Sequence, residues 1–72
     1  MKKYFTCIRW RTSQASALGG ENSYEFNYII SVDLRDATRS DVVEAILRQT
    51  NIGGFRGLVE SSIVVSMMVE VG

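Results

Sequence analysis

From Tyr24 to Leu34 every second residue is apolar: Tyr24, Phe26, Tyr28, Ile30, Val32 and Leu34 fall on one side of an extended chain, against Glu25, Asn27, Ile29, Ser31 and Asp33 on the other. A period of two is that of a β-strand, and it leaves a chain this short few ways to fold. The same period runs through residues 4 to 11, where Tyr4, Thr6, Ile8 and Trp10 oppose Phe5, Cys7, Arg9 and Arg11. It returns in residues 58 to 71, which set Ile63, Val65, Met67, Val69 and Val71 against Ser62, Val64, Ser66, Met68 and Glu70. These segments are read as three strands.

Between the second and third strands the period changes. Thr38 and Asp41 stand in capping-box spacing, and Val42, Val43, Ile46 and Leu47 fall on one helical face. Gly53 and Gly54 offer the left-handed residue that ends such a helix. Residues 12 to 23 have no period and read as a connection, with Gly19-Gly20 as its turn. A crossover through the helix makes strand three parallel to strand two and leaves the slot between them for strand one, antiparallel to both. The expectation is a single α+β domain over residues 1–72: a three-stranded sheet ordered 2-1-3 with one helix on one face, a split β-α-β unit.

A 72-residue chain buries a modest core, worth roughly 3–5 kcal/mol net, and usually gains stability from a disulfide or a metal. Cys7 is the sole cysteine and histidine is absent, so neither a disulfide within the chain nor a structural zinc site is expected. Self-association is the remaining aid. Arg9 and Arg11 interrupt what would be the apolar centre of a secretory leader, and no run approaches the length of a membrane span. With the lone cysteine these features predict a cytoplasmic protein without a membrane partner. Net charge is zero, but Lys2, Lys3, Arg9 and Arg11 stand in the first twenty residues without an acid, which makes strand one basic.

The stretch Asn51-Ile52-Gly53-Gly54-Phe55-Arg56-Gly57 asks for a separate reading. Its Gly54-Phe55-Arg56-Gly57 spacing after Ile52-Gly53 resembles the Gly-x-x-Gly loop of KH domains, which implies amides and a basic side chain holding a nucleic-acid backbone. That family requires a second helix directly after the loop, whereas residues 58 to 71 carry a strand period. The stretch is therefore expected to be a corner, with Phe55 tucked against the end of the sheet.

Catalytic groups do not assemble in the sequence. Asp33, Asp36, Asp41 and Glu44 gather near the helix start, where the free amides favour acids and Arg35 and Arg39 stand close by, so a Mg²⁺ site is not expected. Serines and threonines lack a histidine base, and Cys7 in mid-strand reads as a small packing residue. No enzyme activity and no cofactor are expected.

The side of the sheet away from the helix is the distinctive feature. It is expected to show Phe5, Cys7, Ile29, Val64 and Met68, rimmed by Arg9, Arg11, Glu25, Asp33 and Glu70, where an ordinary solvated face is more polar. That composition predicts a non-catalytic interaction protein that self-associates, most simply as a dimer, and acts by binding and blocking or sequestering a macromolecular partner or small ligand. In size it matches accessory and inhibitor proteins of mobile elements. The alternative is a single-stranded nucleic-acid binder using the same face, with Phe5 stacking on bases and Arg9 and Arg11 on phosphates.

Overall fold

The computed structural model describes residues 1–13 and 22–71, so the expected Gly19-Gly20 turn lies outside the described residues. Its elements are β1 (Lys2–Thr12), β2 (Asn22–Val32), α1 (Arg39–Gln49), a 3₁₀ turn (Ile52–Gly54) and β3 (Leu58–Val71). The sheet order is β2-β1-β3, with β1 antiparallel to both neighbours. This is the expected α+β arrangement. Beyond its periodic core β1 gains Lys2 and Lys3 at its start and Thr12 at its end, while β2 begins two residues earlier, at Asn22, and ends at Val32, leaving Leu34 exposed beyond it.

The β1–β2 ladder is unbroken from Lys2 opposite Val32 to Thr12 opposite Asn22. The β1–β3 ladder is not. Cys7 faces Met67 but Ile8 faces Val65, so Ser66 has no opposite number and forms a bulge. A longer irregularity lies between Arg9, opposite Val64, and Arg11, opposite Val59. Serines mend both places: the Ser66 hydroxyl donates to the Cys7 carbonyl at 3.2 Å, and the Arg11 N–H donates to the Ser62 hydroxyl at 2.9 Å.

The helix begins as its sequence dictates. Thr38 Oγ1 accepts from the Asp41 N–H at 3.2 Å, and the Asp41 carboxylate accepts from the Thr38 N–H at 2.9 Å, closing the capping box. Its other end differs from expectation. Thr50 bonds the Ile46 carbonyl through both its N–H (3.0 Å) and its hydroxyl (2.6 Å), which satisfies that carbonyl without a left-handed residue. Gly53 and Gly54 therefore fall in the 3₁₀ turn, and the positive φ is used later, at Gly57 (75°), where the chain turns into β3.

The core lies between the sheet and the helix. Tyr4, Ile8 and Trp10 of β1, Ile30 and Val32 of β2 and Ile63 of β3 meet Ala45 and Ile46 of α1 and Ile52 beyond it. Val42, Val43 and Leu47 are half-buried at its border.

Candidate functional site

The bulge at Ser66 decides which β3 side chains face outward. Residues directly opposite one another in a ladder share a face, so Met68, opposite buried Thr6, lies on the helix side, half-buried against the core. The expectation that Met68 belongs to the open face is corrected: one extra residue inverts the alternation beyond it. Met67, Val69 and Val71, expected in the core, stand instead opposite Cys7, Phe5 and Lys3 on the open face, and all three are exposed. Glu70 moves with Met68 to the helix side, 3.6 Å from Lys2 Nζ. The run Val64-Val65-Ser66-Met67-Met68 carried the signal, since two apolar doublets around a serine break strict alternation.

The remaining expected residues do gather. Phe5, Cys7, Arg9 and Arg11 of β1 share the open face with Ile29 of β2, opposite Phe5, and with Val64 of β3, opposite Arg9. Ile29 is 60% exposed and Val69 51%. The Cys7 thiol donates to the Glu25 carboxylate at 3.0 Å, across the strands. The face thus sets an aliphatic strip along β3, with Phe5 and Ile29, beside the polar Ser23, Glu25, Asn27 and Ser31 of β2, with Arg9 and Arg11 toward one end and Lys3 toward the other.

The helix side is bare in one place. An eleven-residue helix is about 16 Å long, whereas an eleven-residue strand is about 36 Å, so α1 cannot cover β2 from end to end. The aromatics of β2 were expected to meet the helix, yet Tyr24 is only partly covered and Phe26 is 65% exposed. They join a ring cluster: Phe55 lies 5.3 Å from Trp10 and 4.9 Å from Tyr24, Trp10 stacks on Tyr24 at 5.7 Å, and Phe26 lies 5.7 Å from Tyr28. Between these rings and Asn51 runs a groove of about 320 Å³. Burial raises the Tyr28 phenol above its ordinary pKa of 10.0, and its hydroxyl donates to Asn51 at 2.7 Å. Trp10 is 2% exposed and its indole N–H has no partner among the described residues.

The ends of the helix clip the two edge strands. Gln49 accepts from the Ser31 N–H and donates to the Ser31 carbonyl, both at 2.7 Å, closing the outer edge of β2 at that point. Arg39 donates to the β3 carbonyls of Ile63 (2.9 Å) and Ser61 (3.4 Å).

Residues 54 to 57 are the expected corner. Phe55 packs on Trp10, and Leu58 opens a strand where a KH loop would open a helix. Three of the four acids near the helix start have separate partners: Asp33 accepts from the Arg35 N–H at 3.1 Å, Asp41 completes the capping box, and Glu44 lies 3.9 Å from Arg48. Among the described residues no three metal-ligating side chains converge, and no helix is long and apolar enough to cross a membrane. Compared with family models, with curated proteins and with solved structures, the chain matches none.

Proposed function

We propose that this chain is a self-associating interaction protein that acts by binding rather than by chemistry, and that a second copy covers its open sheet face. The observation that carries this reading is the row Val64, Met67, Val69 and Val71 standing exposed beside Phe5 and Ile29. A three-stranded face roughly 36 Å long and 14 Å wide offers about 500 Å² per copy and about 1,000 Å² per pair, the lower limit for a specific interface. The chain also has need of it, because 72 residues without a disulfide or zinc site are marginal alone. Paired copies acting on a further macromolecule or small ligand would block or sequester it, and a cytoplasmic setting suits the single thiol.

Arg9 and Arg11 favour a second reading, a single-stranded nucleic acid laid across the same face. Phe5 is the one ring there for bases to stack on, and the aliphatic remainder suits protein better. Val69→Asp, measured by light scattering, tests the first reading: the wild type should run at a multiple of 8.1 kDa and the folded variant below it. Oligonucleotide binding that weakens steeply with salt and is lost in Arg9→Ala would support the second instead.

A further inference from the structure

We infer that the bare edge of β2 pairs with β2 of a second copy, antiparallel and with Phe26 opposite Phe26, joining two three-stranded sheets into one of six strands. This contact is separate from the face-to-face one proposed above, and either can fail alone. Ser31 fixes which backbone groups are free. Both its N–H and its C=O are taken by Gln49, which lies outside the sheet, so Ser31 points away from β1. Alternation then sends the N–H and C=O of Ser23, Glu25, Asn27 and Ile29 outward as well, while the even-numbered residues bond β1. Strand edges are normally protected by proline, lysine, a bulge or a covering element. Asn22–Ile29 has no proline or lysine, its ladder with β1 is unbulged, and among the described residues the edge is covered only at Ser31, by Gln49.

The register follows from the side chains. Outward residues pair with outward residues, so the candidate two-fold registers centre on Glu25, Phe26 or Asn27. Centring on Glu25 sets two carboxylates directly opposite, which is unfavourable. Centring on Asn27 brings Ser23 against Ser31, whose backbone Gln49 already occupies. Centring on Phe26 avoids both. It sets Glu25 beside the partner's Asn27 amide, Phe26 on Phe26 and Tyr24 on Tyr28, so that the exposed rings continue across the junction and shield one another. The two-fold axis stands perpendicular to the sheet, which keeps both helices on one side and makes the open faces continuous.

Asn27→Pro is the test, because it deletes an outward N–H that β1 does not use and should leave the fold intact by circular dichroism. With both contacts formed, the wild type is a tetramer of two stacked six-stranded sheets by sedimentation. Asn27→Pro should halve its mass, Val69→Asp should halve it by the other route, and the double variant should run as the 8.1 kDa chain. Single cysteines in a Cys7→Ala background read the register: Phe26→Cys should cross-link to itself on oxidation, whereas Glu25→Cys and Asn27→Cys should cross-link only when mixed. A folded Asn27→Pro protein of wild-type mass overturns the edge contact whatever Val69→Asp does. So does a wild type that Val69→Asp alone reduces to monomer, or one that is monomeric already, which would leave the edge to a foreign strand.

Discussion

Between Cys7 and Ile8 of β1 the facing strand inserts one extra residue, and the Ser66 hydroxyl ties the resulting kink to the Cys7 carbonyl. Everything beyond it exchanges faces, so the adjacent methionines have opposite fates. Met67→Asp places a carboxylate on the open face and should leave a folded protein that no longer associates at micromolar concentration, because a buried unpaired charge costs several kcal/mol. Met68→Asp places it against the core and should cost about 3 kcal/mol or more, comparable to the whole stability of so small a domain, so the chain should unfold by circular dichroism. At the other end of the residue scale, the backbone and side-chain hydrogen bonds with Thr38 hold the Asp41 carboxyl below its ordinary pKa of 3.8. A depressed folded-state pKa stabilises the protein above the unfolded value and loses that contribution as pH falls through the folded one. Between about pH 4 and pH 2 the wild type should therefore lose more melting temperature than Asp41→Asn, the difference isolating this cap from the other carboxylates.

The elements themselves were legible because each has a clear period and its own start signal. From Tyr24 to Val32 every second residue is apolar, and Thr38 with Asp41 marks the helix start to the residue. What could not be read was how far each element reaches over its neighbour. A helix about half the length of the strands does not reach over Tyr24 and Phe26, a consequence of the different rise per residue rather than of any local pattern. The edge clips were equally hidden, since Gln49 and Ser31 are eighteen positions apart and neither is unusual in its own segment. Gln49→Ala removes both bonds to Ser31 at an exposed site. It should cost about 1 kcal/mol and lower the melting temperature by roughly 4–8 °C with secondary structure unchanged. No loss at all would mean that water serves the Ser31 backbone as well as the amide does.

At the scale of the whole molecule, one helix covers part of one side of the sheet, and the other side sets Phe5, Ile29, Val64, Met67, Val69 and Val71 among polar and charged residues of β1 and β2. With one cysteine and no histidine in 72 residues, the chain has little besides a small core to hold it, so the association proposed above would couple folding to the burial of that side. Sedimentation equilibrium of the wild type across nanomolar to micromolar concentration, read beside thermal melts of the same samples, measures this coupling directly. The mass should rise to a multiple of 8.1 kDa, and the melting temperature should rise with it. A well-folded 8.1 kDa monomer whose melting temperature is the same at every concentration would contradict it.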